Sequence, residues 1–144
     1  MMFRKLKMLA PVALAIPLFA GGFFLQIGNP EASPEARKAG AFVTVKAWGC
    51  HHPATATVTA TAIGVVNGQR REIPLQVTRL SGAGMFAITQ QWPKEGKWVI
   101  RLVGHNGEQF TNTLVGAGPR GVERARFKED MHPFVAADID AMLR

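Results

Sequence analysis

Apolar and polar residues alternate along most of this chain after Ala41, and this period of two constrains the fold more than any other feature. The run Thr55–Ala62 shows the pattern most clearly, because alanine and valine occupy one face of the expected strand and four threonines the other. β-Branched threonine suits a half-exposed pleated surface. A long amphipathic helix needs a period of 3.6, which this part of the chain lacks. We therefore predict strands between residues 41 and 118.

Turn signals divide this region into short strands. Asn67-Gly68 and Asn106-Gly107 are two-residue hairpin signals, because asparagine and glycine tolerate a positive φ. Pro74 lacks a backbone donor, which predicts that its strand lies at a sheet edge. The predicted inward residues are Ala56, Val58, Ala60, Ala62, Ile73, Leu75, Val77, Phe86, Ile88, Trp92, Trp98, Ile100, Leu102, Phe110 and Leu114. In the first strand, Val43, Val45 and Ala47 share one face and Phe42, Thr44 and Trp48 the other. Together these signals predict an all-β, immunoglobulin-like antiparallel sandwich of about six or seven strands, the seventh around 122–127.

The N-terminus has the layout of an export signal. Three basic residues among the first seven precede Met8–Gly28, a charge-free run of about 21 residues, which is near the length needed to span a bilayer. Two alternatives stay open: a signal peptide cleaved after Ala20, Gly22 or Ala32, and a retained anchor helix. Both predict that the rest of the chain is extracytoplasmic, either periplasmic or secreted.

The chain is thus divided into four predicted segments. These are a signal peptide or membrane anchor over 1–28, a linker over 29–40, the β-sandwich domain over 41–118, and a basic tail with a short terminal helix over 119–144. The tail holds a basic group that could contact an anionic surface, formed by Arg120, Arg124, Arg126 and Lys128. Its helix is predicted to begin after Pro133 and to dock an apolar stripe on the sandwich or on a partner, formed by Val135, Ile139, Met142 and Leu143.

The densest group of reactive side chains is Cys50-His51-His52, in the loop after the first predicted strand of the domain. A thiolate and two imidazoles are ligands that copper(I) and zinc prefer, so these three residues are the candidate metal ligands. A third ligand on the same ion would come from His105, Met85 or Met131-His132. Two alternatives remain: a half-buried structural cysteine beside two surface histidines, and a redox-active or intermolecular-disulfide thiol. The single cysteine excludes an internal disulfide framework.

Three segments resemble a known arrangement: Ile73-Pro74-Leu75, Gly84-Met85-Phe86, and the stretch from Trp92 to Ile100 with its Pro-x-x-Gly-x-Trp motif. They resemble exported immunoglobulin-like domains of the YtkA-like and FixH-like type and the broader CopC-like sandwiches, over roughly residues 41–115. The resemblance implies that fold and an extracytoplasmic location. Some relatives are tied to copper handling or respiratory-oxidase assembly. Their metal-binding histidines and methionines have no counterpart at matching positions here, so none is carried over.

The chain lacks the common catalytic motifs. No G-x-S-x-G, H-E-x-x-H, C-x-x-C or glycine-rich phosphate loop before a helix occurs. We therefore predict a non-catalytic exported domain that binds or supports another envelope protein or ligand. Membrane association is predicted through residues 8–28, and nucleic acid is not a predicted partner. The alternative is a metal-binding accessory protein that uses the Cys50-His51-His52 loop, with copper first and zinc second.

Overall fold

A computed structural model describes residues 22–49 and 51–144, and β-strands are the main secondary structure in them. The strands are β1 (Phe24–Gly28), β2 (Val43–Trp48), β3 (Thr57–Val66), β4 (Gln69–Leu75), β5 (Thr78–Arg79), β6 (Met85–Ile88), β7 (Lys97–Asn106), β8 (Gln109–Gly118) and β9 (Gly121–Asp130). The helices are α1 (Pro34–Lys38) and α2 (Ala136–Leu143), with short 3-10 helices at Pro30–Ala32 and Pro53–Thr55. The all-β prediction is confirmed, although the described residues form nine strands rather than six or seven.

The strands form two antiparallel sheets that pack face to face. One sheet has the order β1-β2-β6-β5 and the other the order β4-β3-β7-β8-β9. Their inner faces share one core, which contains Val43, Val45 and Ala47 of β2, Ala56, Val58, Ala60 and Ala62 at β3, Phe86, Ile88 and Trp92 at β6, and Trp98, Ile100 and Leu102 of β7. The inward faces predicted for β3, β6 and β7 are therefore confirmed, and β2 buries the face that carries Val43, Val45 and Ala47.

The two Asn-Gly pairs form turns in different registers. Asn67 and Gly68 have φ values of 50° and 76° and occupy the two central positions of the β3–β4 hairpin. In the β7–β8 hairpin, Asn106 instead pairs with Gln109, so Gly107, with a φ of 60°, takes the first central position. The second turn therefore lies one residue later than predicted. The edge prediction from Pro74 is confirmed, because β4 ends the five-stranded sheet.

The prediction for β8 was wrong about which face points inward. Val115 and Ala117 enter the core between the sheets, whereas Leu114 is buried in a second cluster on the outer face of the five-stranded sheet. Phe110 lies on that outer face too and is 54% exposed. Strand β8 carries apolar residues on both faces, and those on the outer face are buried because the C-terminal helix covers them.

Helix α2 docks on the sandwich itself, which is the first of the two alternatives predicted for its apolar stripe. Ile139 and Met142 are buried against Ile63, Val99 and Leu114. Arg126 of β9 holds the end of the helix, since its Nη1 donates to the carbonyl of Met142 (2.7 Å) and its Nη2 to that of Trp98 (3.3 Å). Val135 precedes the helix and stays exposed.

The sandwich begins earlier than the predicted boundary at residue 41. All of β1 pairs with β2, from Phe24 opposite Trp48 to Gly28 opposite Thr44. Side chains of Phe23, Leu25 and Ile27 enter the core. These residues fall in the segment predicted as signal or anchor. The prediction extended to them because the only polar residue of the strand, Gln26, is uncharged and does not interrupt the charge-free run. The rest of that prediction, residues 1–21, lies outside the described residues.

The other predicted boundaries shift as well. Residues 29–40, predicted to be a linker, contain a 3-10 helix and α1. Glu35 of α1 accepts hydrogen bonds from the N–H (3.0 Å) and the hydroxyl (2.7 Å) of Ser81. The predicted basic tail contains β9, which pairs with β8. Neither helix in the described part of the chain combines the length and the hydrophobicity that a membrane crossing demands.

Candidate functional site

All four histidines of the chain lie at one end of the sandwich. His51 and His52 are in the β2–β3 loop, and His105 is near the end of β7, opposite Thr57 of β3. His132 follows β9, whose last residue pairs with Asn112 near the start of β8. We call this region the histidine end and define it as the loop 49–56, the β7–β8 turn with residues 105–110, and residues 131–133. Strand β1 also begins here, because its first residue pairs with the last residue of β2.

The β2–β3 loop is tied to the β7–β8 turn by hydrogen bonds. The carbonyl of His52 accepts from the side-chain amide of Asn106 (3.0 Å) and from the hydroxyl of Thr55 (2.9 Å). The same hydroxyl lies 3.2 Å from Oδ1 of Asn106. Asn106 thus holds the loop through its side chain. The side chains of His51 and His52 remain exposed.

Of the three predicted metal ligands, the structure describes His51 and His52 but not Cys50. Cys50 lies outside the described residues, and within residues 22–49 and 51–144 no three His, Cys, Asp or Glu side chains come close enough to hold an ion. His105 stacks on Phe110 with ring centroids 4.5 Å apart. The N–H of His132 donates to Asp130 (2.9 Å) and, with the nearby imidazole, lowers the pKa of that carboxyl. Metal binding stays a prediction.

A groove lies on the outer face of the five-stranded sheet, at the histidine end, where α2 does not cover the strands. Its volume is about 510 Å³, and it is lined by Arg101, Val103, Phe110, Asn112, Met131, Pro133 and Phe134. Phe110 and Met131 are 54% and 76% exposed, whereas Asn112 is buried. Asn112 donates to the carbonyl of Met131 (3.4 Å), which holds the segment after β9 at the rim. Clustered exposed apolar side chains with a few polar groups are typical of a surface that binds another molecule.

A second exposed aromatic residue marks the opposite face of the same end. Trp48, the last residue of β2, is 49% exposed on the four-stranded sheet. The ring of Phe24 lies 6.3 Å from its ring, and Nζ of Lys46 lies 5.1 Å from its centroid. Aromatic side chains are therefore exposed on both sides of the histidine end.

Two of the four basic residues predicted as a surface group, Arg124 and Arg126, make hydrogen bonds within the domain. Arg124 donates to the carbonyl of Ile27 (3.1 Å), and Arg126 bonds Glu123 (2.7 Å) as well as the two carbonyls near α2. Arg120 lies in the β8–β9 turn, at the end of the sandwich opposite the histidines. The four cations therefore do not form one free patch, and contact with an anionic surface stays a prediction.

The groove was missed by the sequence analysis. Phe110 was assigned to the core, and Met131 was considered only as a third metal ligand. The β8–β9 pairing brings the two residues to one face. A strand was predicted around 122–127, but the sequence does not give its partner, so Met131 could not be placed beside Phe110. The available signal was a large apolar residue near the start of β8 and another just after β9.

No protein-family model, no curated protein and no solved structure matches this chain. Function therefore has to be inferred from the groove, the loop and the N-terminal sequence.

Proposed function

We propose that this chain is a non-catalytic, exported, immunoglobulin-like β-sandwich domain that binds another component of the cell envelope. The observation that supports the proposal is the groove beside α2, where the large apolar side chains of Phe110 and Met131 are exposed. Docking of α2 covers the apolar side chains on the other half of this face. An exposed phenylalanine and methionine on the remaining half are thus available to a partner.

The lining of the groove indicates the chemistry of that partner. Phenylalanine supplies a rigid anchor, and methionine adapts to irregular apolar shapes. The guanidinium of Arg101 offers several N–H donors to an acceptor. We therefore propose that the groove holds an apolar segment of another envelope protein, with a carbonyl or carboxylate oxygen placed against Arg101.

Replacing Phe110 with serine is expected to weaken partner binding at least about tenfold, because truncating an anchor at the centre of an interface typically costs about 2 kcal/mol or more. A photo-crosslinking amino acid at position 131 in the exported protein should capture one identified envelope protein, and Phe110→Ser should remove that crosslink. The matched control is Phe127→Ser, which truncates another exposed phenylalanine outside the groove. Equal crosslinking by Phe110→Ser and Phe127→Ser would exclude the groove as the binding surface.

Metal binding by the loop is the second candidate. It is supported by the exposed side chains of His51 and His52, which directly follow Cys50 in sequence and share an end of the sandwich with the other two histidines. Asn106 holds the backbone of the loop, and a fixed backbone lowers the entropy lost when side chains close on an ion.

Titration of the purified domain with copper(I) and with zinc tests this candidate. We expect stoichiometric binding below millimolar dissociation constants in the wild type and its loss in Cys50→Ser, because thiolate is the strongest ligand of the set. Gln69→Ala is the control, since Gln69 is exposed at the β3–β4 turn, at the other end of the sandwich from every candidate ligand. If the wild type and Cys50→Ser bind equally, or if neither binds, the loop is not a metal site.

A further inference from the structure

Strand β1 shortens the charge-free run that is available to a membrane. Of the residues between Met8 and Gly28, those from Phe23 onward belong to the sandwich, where Phe23, Leu25 and Ile27 are 6%, 1% and 7% exposed. A side chain packed in this core cannot also lie in a bilayer. About 15 uncharged residues, Met8–Gly22, then remain, and a helix of that many residues would be roughly 22 Å long at about 1.5 Å per residue.

That length separates the two alternatives left open by the sequence. The hydrocarbon core of a bilayer is about 30 Å thick and takes about 20 apolar residues to cross. The apolar region of a cleaved signal peptide is only about 7–15 residues long. The remaining run, preceded by Arg4, Lys5 and Lys7, therefore fits a signal peptide and is short for an anchor.

The residues around Gly22 also fit the specificity of a signal peptidase, which requires small residues at the third and first positions before the cleaved bond. Cleavage after Gly22 places Ala20 and Gly22 at those positions. Cleavage after Ala20 would place Leu18 at the third position, and cleavage after Gly21 would place Phe19 there. Both side chains are large, so the bond between Gly22 and Phe23 fits best.

The fold excludes the third candidate, Ala32. Removal of residues up to Ala32 would delete β1 and take three side chains out of the core. It would also leave the hydrogen-bonding edge of β2 unpaired, because β1 is the outer neighbour of β2 in the four-stranded sheet. Cleavage must therefore occur before Phe23 if the product is to fold as described.

We infer that a membrane-bound signal peptidase hydrolyses the bond between Gly22 and Phe23, and that the mature domain is released with Phe23 as its first residue. Water is the co-reactant: the C–N bond breaks, Gly22 gains the carboxylate and Phe23 gains the α-amino group. The new amino group lies at the histidine end, next to the first residue of β1. This inference rests on the export that is part of the proposed function, but it does not depend on the groove.

The test is expression of the full chain in an export-competent bacterium, with intact-mass measurement and N-terminal sequencing of the product. We expect a soluble extracytoplasmic protein that begins at Phe23. Ala20→Phe should raise the ratio of precursor to mature protein at least about tenfold, because the third position before the bond must be small. Gly21→Phe is the matched control and should process normally, because the position between the two small residues tolerates a large side chain.

Three outcomes would overturn the inference, and they differ in what they mean for the proposed function. An intact chain that stays in the membrane with its body exposed outside would show an anchor and leave export and groove binding untouched. An intact chain in the cytoplasm would overturn both the cleavage site and the exported function. A mature protein with any other first residue would refute cleavage at Gly22.

Discussion

Trp98→Ala is expected to lower the free energy of unfolding by about 3–5 kcal/mol, the range for truncating a buried tryptophan. Trp98 is 1% exposed and lies in the core between the sheets. Its ring fills the space above Gly64 on the neighbouring strand β3, where a Cβ would come within 2.3 Å of the ring. Its Nε1–H donates to the carbonyl of Glu95 (2.7 Å). Alanine would leave a cavity over Gly64 and remove this hydrogen bond.

The loss would be a large share of the stability of such a domain, which is typically about 5–15 kcal/mol. Urea denaturation followed by circular dichroism measures it, with the slope of the transition checked for constancy. Trp48→Ala is the matched control, because it deletes the same side chain from a site that is 49% exposed. If both variants lose the same stability, Trp98 is not at the centre of the core.

Alternation made the inner face of β3 predictable. On this strand Val58, Ala60 and Ala62 alternate with three threonines, so the sequence itself selects the buried face. Strand β8 is buried on both faces from Thr111 to Ala117, and alternation then carries no information about which face points inward. The face was misassigned because the cover on its outer side comes from α2, far along the chain.

The candidate site was predictable only where it depends on neighbours in sequence. Cys50, His51 and His52 are adjacent, so their shared loop could be identified, but a third ligand depends on distances that the sequence does not encode. The groove depends on a nonlocal pairing, since Asn112 opposite Asp130 is what brings Met131 beside Phe110. Strand β1 was missed for a related reason: an uncharged strand and the end of a signal sequence have similar compositions, and only pairing with β2 distinguishes them.

Leu25→Ala tests whether β1 belongs to the domain, and we expect it to cost about 2–5 kcal/mol of unfolding free energy. Leu25 is 1% exposed, and its Cδ2 would lie 2.9 Å from a Cβ on Gly104 of the opposite sheet. The leucine thus fills the space that this glycine leaves between β1 and β7. Truncation would open a cavity at the contact between the two sheets, which urea denaturation of the exported protein would detect.

Gln26→Ala is the matched control, because Gln26 is the next residue of the same strand and its side chain faces solvent. An exposed substitution of this kind usually changes stability by less than about 0.5 kcal/mol. The difference between the two variants therefore measures burial of β1 and not strand propensity. If Leu25→Ala were as mild as Gln26→Ala, β1 would not be an integral strand. Residues 23–28 would then be free to enter a bilayer, and the length argument against an anchor would no longer hold.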